Sequence, residues 1–481
     1  MLAYEELQGA RGRETRYRPP RYDARVLFPH RPPRLRIGRS AYQIQNLSLG
    51  GLAAITKEAA NEDMSVGDTV RLTIQQSGLS IFESDAKVRW AERTVFGAKV
   101  ALSFVDNVIE LDKLINRNLQ AQIATHSSGW GTDVAALVPH EYRAFCADVL
   151  KLLRSRRAAI DANLSVPMEF ARDFDHAAVF EACEAQFVQE WRAHWRVGNE
   201  LVRAVIGERE KRDAVKEYTE LVLTPELRGG AVWDRSYAKP LGYPGDFGIM
   251  NQVYDWQRVG GTAYQMLLHR VGLEVAECIK TRMEVVRTEI GKAVSEKEAG
   301  RTTRILSLGC GSAREVETWF ARSRSGLSRA EFTLIDQEQL ALDYAYRASY
   351  PYIVRSDDRH RLNCLHISFT DVLRGTGGMD ALPPQDLVYS VGLIDYLTDR
   401  RAASLVRRLY EVVAPGGLLI IGNMNDAPLS NLWPMEFITD WSLYYRTDPQ
   451  MLAWAEGLDP EKAWTETECT GRVRLLYVRK R

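Results

Sequence analysis

The tightest constraint on the fold is a strand–helix alternation that begins near Arg304. Apolar runs at IleLeuSerLeu (305–308), PheThrLeuIle (332–335), LeuHisIle (365–367), AspLeuValTyrSerVal (386–391) and LeuLeuIleIle (418–421) are separated by segments long enough for crossover helices. Parallel strands buried on both faces read as continuous apolar runs, and repeated strand–helix–strand units wind into an α/β doubly wound, Rossmann-like sheet. A two-strand pattern, ThrGluThrGluCys to ArgValArgLeuLeuTyrVal at 465–478, follows the fifth run.

Two other textures precede this one. Between Arg21 and Val105 short runs alternate with period two: ArgLeuArgIle (34–37), TyrGlnIleGln (42–45), ValArgLeuThrIle (70–74), AlaLysValArgTrp (86–90) and AlaLysValAlaLeuSerPhe (98–104). That pattern, punctuated by Gly, Asn and Pro, predicts an antiparallel β-barrel or sandwich. From Ile109 to about Lys297 the apolar period becomes helical, as in Leu111, Leu114, Ile115 and Leu119, or Phe187, Trp191 and Trp195. LysProLeuGlyTyrProGlyAspPhe (239–247) cannot continue a helix and is expected to be a loop. The expected multidomain organisation is a flexible arm at 1–20, a barrel at 21–108, a helical region or lid at 109–300 and the α/β sheet at 301–481.

Lys+Arg and Asp+Glu both number 63, so the net charge of zero argues against general nucleic-acid or anionic-membrane binding. No run approaches the ~20 apolar residues of a membrane span. The opening residues lack a secretory h-region, and the six cysteines are scattered without a CxxC pair, so a cytoplasmic protein with reduced thiols is expected. The histidines show no metal-ligand spacing, and no metal is expected.

The first strand of the α/β part runs into Gly309-Cys310-Gly311-Ser312-Ala313-Arg314. Such a turn lets a ligand approach the backbone while the next helix offers free N–H groups. Arg314 replaces the third glycine of a dinucleotide fingerprint, against a tight pyrophosphate fit. The second strand closes on Asp336, the third is followed by Phe369-Thr370-Asp371, and the fourth ends in Tyr389-Ser390-Val391-Gly392. A plainer reading also stands: Gly309 and Gly311 as a structural turn, Asp336 and Asp371 as helix caps. An NAD-binding unit is the sharper rival, but it calls for a small residue at 314 and a second catalytic domain.

This ordered series resembles the class I S-adenosylmethionine (SAM)-dependent methyltransferases. The resemblance implies a seven-stranded doubly wound sheet with a reversed final hairpin. It implies SAM over Gly309 and Gly311, Asp336 on the ribose, Asp371 near the adenine, and Val391 beside the methionine portion. The GlyTyrProGlyAspPhe loop (242–247) and TrpProMetGluPheIleThrAspTrpSerLeuTyrTyrArgThr (433–447) resemble a narrower bacterial group, the extracellular-factor (3-hydroxypalmitic acid methyl ester) biosynthesis methyltransferases. That likeness implies a small-molecule carboxyl O-methyltransferase with a fatty-acid-like acceptor. Tyr389, Asn423, Asp440 and Tyr445 are the candidate catalytic residues. Trp441, Tyr444 and Tyr445 also read as packing residues, and Glu436, Asp440 and Arg446 as a surface ion-pair set.

In the amino-terminal part, Arg21 and Arg25 form an RxxxR spacing, and Asn46, Ser48 and Gly51 an NxSxxG pattern. Two arginines four apart can fork onto phosphates and stack on guanine faces. Within the β pattern these motifs resemble the PilZ domain, a cyclic di-GMP receptor, and the resemblance places those five residues around the dinucleotide. An arginine-rich arm contains some RxxxR by chance, and AsnLeuSerLeuGlyGly also reads as a hairpin turn. The two functions to separate are a cyclic di-GMP-responsive methyltransferase and a non-catalytic cyclic di-GMP effector whose α/β part is a protein scaffold.

Overall fold

The computed structural model describes residues 21–28, 32–38, 40–56, 64–76, 79–94, 97–105, 107–127, 136–164, 175–241, 243–298, 300–323, 329–356, 359–376 and 378–481. The arm expected over 1–20 lies outside them. The chain divides into two compact units, Met1–Thr132 and Asp133–Arg481.

Unit 1 is a closed antiparallel barrel. Its strands are β1 (Tyr22–Asp23), β2 (Arg34–Ile37), β3 (Ser40–Ser48), β4 (Gly51–Thr56), β5 (Thr69–Gln76), β6 (Leu79–Thr94) and β7 (Gly97–Phe104). The ring runs β3-β2-β5-β6-β7-β4 and closes by pairing β4 with β3, while β1 is appended to β3. Alternation fills the interior: Leu35, Ile37, Tyr42, Ile44, Leu72, Ile74, Val88, Val100 and Leu102 are all buried in one core. Helix α1 (Leu111–Ser127) contributes Leu114 and Ala121 to that same core. Besides the two-residue β1, the strand that alternation does not reveal is β4, GlyLeuAlaAlaIleThr. It is buried along almost its whole length and therefore has no polar face to mark it.

Unit 2 opens with α2 (His140–Leu164), α3 (His176–Val205), α4 (Arg209–Val222), α5 (Ala231–Ala238), α6 (Phe247–Asp255) and α7 (Ala263–Ser295). Helix α3 begins where the Asp175 carboxylate accepts the N–H groups of Ala177 and Ala178, and it buries Phe180, Phe187, Trp191 and Trp195 on one stripe. No helix among the described residues is long and apolar enough to cross a membrane.

The sheet of unit 2 contains β8 (Thr302–Leu308), β9 (Arg329–Asp336), β10 (His360–His366), β11 (Gln385–Ser390), β12 (Val413–Met424), β13 (Pro460–Thr467) and β14 (Val473–Lys480). The crossover helices are α8 (Arg314–Arg322), α9 (Gln339–Val354), α10 (Phe369–Arg374) and α11 (Asp399–Glu411). The strand order is β10-β9-β8-β11-β12-β14-β13. The first five strands are parallel, and β14 inserts antiparallel between β12 and β13, giving the mixed sheet with a reversed final hairpin. The order reverses between β8 and β11. Ligands of open α/β sheets bind outside the carboxyl ends of the strands at that point.

Candidate functional site

Gly309 and Gly311 leave β8 with φ of +69° and +53°, a left-handed region that glycine enters without a Cβ penalty. A Cβ at Gly309 would lie 3.4 Å from Leu393 Cβ and 3.5 Å from the ring of Phe369, so the turn sits against the connections after β11 and β10. Beyond it, α8 starts at Arg314, whose guanidinium turns aside to Asp255 at 2.8 Å.

Asp336, the last residue of β9, lies beside this turn. Its Oδ2 accepts the Gly311 N–H at 2.9 Å and its Oδ1 accepts the Glu338 N–H at 2.9 Å. Burial raises its pKa to about 6, against which those backbone N–H groups pull downward. A carboxylate offers about four acceptor sites, so these backbone N–H groups do not exhaust its capacity to accept. The acidic character of Tyr243, from the Gly/Pro-rich loop, is weakened by burial, with the Asp336 charge next in weight.

Asp371 is held in the first turn of α10. Its Oδ2 accepts from the Ser368 hydroxyl at 2.7 Å and its Oδ1 from the Thr376 hydroxyl at 3.3 Å. The Asp371 N–H in turn caps onto Ser368 Oγ, so the capping duty is met at this position. Val391 follows β11. A Cβ on Gly422 of β12 would lie 2.8 Å from the Val391 Cα, so the two backbones meet closely there.

The candidate catalytic residues divide. Tyr389 is buried in β11 and donates its hydroxyl to Glu315 Oε1 at 2.8 Å, in the first turn of α8. The Asn423 amide donates to the carbonyls of Met424 and Tyr444, both at 2.9 Å, and accepts from Arg446 at 2.7 Å. Asp440, at φ +53°, is clasped by Lys216 and Lys239, each at 2.6 Å. These three side chains hold protein to protein. Tyr445 differs: its hydroxyl is shielded from solvent and has no hydrogen-bond partner among the described residues. Burial makes that phenol a weaker acid, and the charges of Glu436 and Asp395 add to the effect.

The two stretches with acceptor-binding potential meet. Gly245 has φ +75°, and a Cβ on it would lie 2.3 Å from the Trp441 ring. The Trp441 indole N–H donates to the Tyr396 hydroxyl at 2.9 Å, which donates to the Pro244 carbonyl at 3.2 Å. Asp246 caps α6 through the Ile249 N–H and takes the Arg235 guanidinium through both oxygens at 2.8 and 2.9 Å. Gly242 of that loop lies outside the described residues. Arg446 is no surface ion-pair residue: it is 3% exposed, and it donates to Asp399, Asn423, Ile394 O and Leu397 O.

In unit 1, β1 pairs with β3 at Tyr22↔Leu47 and Asp23↔Asn46, bringing the two motifs side by side. Arg21 Nη1 donates to Asn46 Oδ1 at 3.3 Å. The Arg25 backbone lies in a single helical turn, Ala24–Leu27, and its side chain lies outside the described residues. Ser48 donates its hydroxyl to Gly51 O at 3.2 Å. A Cβ at Gly51 would lie 2.2 Å from the Leu102 carbonyl oxygen, so the approach of β7 is what forbids a side chain there.

No curated protein matches the chain. Among solved structures, a possible exported protein from Bordetella parapertussis is similar at 20% identity and TM-score 0.41, over 53% of this chain and 88% of that one. Magnesium protoporphyrin IX methyltransferase from Synechocystis PCC 6803 with bound SAH aligns at 11% identity and TM-score 0.36, over 52% of this chain and 97% of that one. An O-methyltransferase family 2 protein from Planctomyces limnophilus in complex with apigenin aligns at 15% identity and TM-score 0.31, over 64% of this chain and 96% of that one. Residues 13–121, which include the closed barrel, match the family model of the PilZ domain.

Proposed function

We propose that this protein is a cyclic di-GMP-responsive, SAM-dependent methyltransferase that esterifies a small-molecule carboxylate of fatty-acid type. The observation that carries the reading is Asp336, a buried carboxylate with unfilled acceptor capacity, closing the strand beside a positive-φ glycine turn at the reversal of strand order. In this reading Gly309 and Gly311 receive the adenosyl group and Asp336 takes the ribose hydroxyls. Asp371 lies toward the adenine edge and Val391 toward the methionine portion. SAM supplies an electrophilic methyl group on sulfur.

The chain's own work is then position and exclusion of water. A carboxylate acceptor is ionised at neutral pH and needs no general base. The unpartnered Tyr445 hydroxyl is the group suited to orient it, while Tyr389, Asn423 and Asp440 keep the surrounding segments in place. That Arg314 pairs with Asp255 rather than blocking the turn weighs against a degenerate scaffold.

Arg21 and Arg25 supply phosphate and guanine contacts to cyclic di-GMP, with Asn46, Ser48 and Gly51 forming the second half of that site. In calorimetric titrations, Arg21→Ala with Arg25→Ala should abolish cyclic di-GMP binding and leave S-adenosylhomocysteine (SAH) binding unchanged. SAM affinity measured with and without cyclic di-GMP should differ, because a ligand shifts another site only through differential affinity for two states. Methyl-labelled SAM incubated with straight-chain fatty acids should yield a labelled, base-labile ester. A protein that binds cyclic di-GMP but gives neither SAH heat nor labelled product would be a non-catalytic effector.

A further inference from the structure

Three arginines are buried among the described residues: Arg282 at 8% exposure, Arg446 at 3% and Arg472 at 4%. Two have full sets of partners. Arg446 bonds two carbonyls, an amide and a carboxylate, and Arg472 bonds the carbonyls of Glu274 and Val275 and the Glu277 carboxylate. Arg282, on α7, makes no hydrogen bond and no ion pair among the described residues. The side chain is largely buried while its guanidinium nitrogens still reach solvent, so an unpaired positive fork faces an opening, and that marks a place where an anionic partner belongs.

Its position identifies the place. A Cβ on Gly392 would lie 2.6 Å from Arg282 Nη2, so the fork lies against the backbone just after β11. That is one wall of the reversal point, and the Gly309 turn after β8 is the other. The Arg282 charge is felt by Glu315 and Asp395, in both cases against the stronger effect of burial, yet neither is its ion-pair partner. Glu315 takes the Tyr389 hydroxyl and Asp395 takes the Met424 N–H. Two carboxylates so near disfavour a doubly charged phosphate, and a planar fork matches a singly charged carboxylate.

We propose that Arg282 is the residue that receives a ligand carboxylate in the crevice between Gly309 and Gly392. The proposal rests on the methyl-donor reading, and two carboxylates qualify within it: that of the amino-acid end of SAM, and that of the acceptor. Calorimetry on the full chain distinguishes them, using SAH, 5′-methylthioadenosine (which lacks the amino-acid end), and decanoate added to SAH-saturated protein. If the carboxylate is the cofactor's, Arg282→Met weakens SAH at least about 30-fold, as expected for a lost charge-assisted pair, and leaves methylthioadenosine unchanged. If it is the acceptor's, SAH is unchanged and decanoate binding is lost. Arg282→Lys should recover part of the affinity in either case.

The Met variant should keep the wild-type fold, read by circular dichroism, because the arginine it removes makes no hydrogen bond or ion pair among the described residues. Unchanged SAH affinity without loss of decanoate binding overturns the assignment, as does equal weakening of SAH and methylthioadenosine. A wild-type protein that binds neither nucleoside removes the methyl-donor reading itself, and this proposal with it.

Discussion

Asp336→Ala should weaken SAH binding by at least about 100-fold, the scale of losing two hydrogen bonds to a charged group. Cyclic di-GMP binding should be unaffected. The reason lies in the surroundings of Asp336. Asp336 is 6% exposed and burial lifts its pKa from 3.8 to about 6. A carboxyl whose folded value is raised favours folding below its ordinary value, and that contribution disappears as pH rises through about 6. At neutral pH the ionised group therefore opposes folding by about 3 kcal/mol.

Asp336→Asn removes the charge and keeps an acceptor for one backbone N–H. In urea titrations, the stability of wild type relative to this variant should fall between about pH 4 and pH 7. A difference flat across that range would mean that the carboxylate is not desolvated. In the proposed function, ribose hydroxyls donate to the ionised form, so SAH affinity should in turn decline below about pH 6.

The second large effect concerns Arg446. Arg446→Met should lower the unfolding free energy by about 3–5 kcal/mol, measured by urea denaturation at neutral pH. The guanidinium ties the turn after β11, through Ile394 O and Leu397 O, to Asn423 near the end of β12 and to Asp399 at the start of α11. It also lies 4.9 Å from the Trp454 ring centroid. Met fills much of the space but leaves several acceptors without donors, and that is where the cost arises. Arg446→Lys should recover only a fraction, because a point charge cannot reach four acceptors in a plane. A loss under 1 kcal/mol would show that water replaces the arginine easily.

Much of this architecture is legible in the residues, and the reasons differ by region. The strands of unit 2 announce themselves as apolar runs because both faces are covered. Most barrel strands do so by alternation because only one face is. The turn at Gly309 and the carboxylate at Asp336 stand at fixed offsets from those strands, so local pattern locates them. What local pattern does not carry is pairing over distance. Asp440 meets Lys216 and Lys239 more than two hundred residues earlier in the chain, and nothing in the spacing of 433–447 points to either lysine. Arg446 reads as a surface charge until its four acceptors are seen. Arg282 sits four residues after Cys278 on a long helix, where an arginine ordinarily faces solvent. Only the fold turns it toward Gly392.

The closed ring of unit 1 bears on how the two units meet other chains. Among the described residues the barrel is hydrogen-bonded round its whole girth and presents no unpaired strand beyond the two-residue β1, which leaves a neighbour's strand little to pair with. The open sheet of unit 2 has two rims. Arg361 and His366 stand exposed along β10, and Glu461, Lys462 and Glu466 along β13. Charge and polarity on those rims, where fibril-like stacking would begin, make burial against another strand expensive.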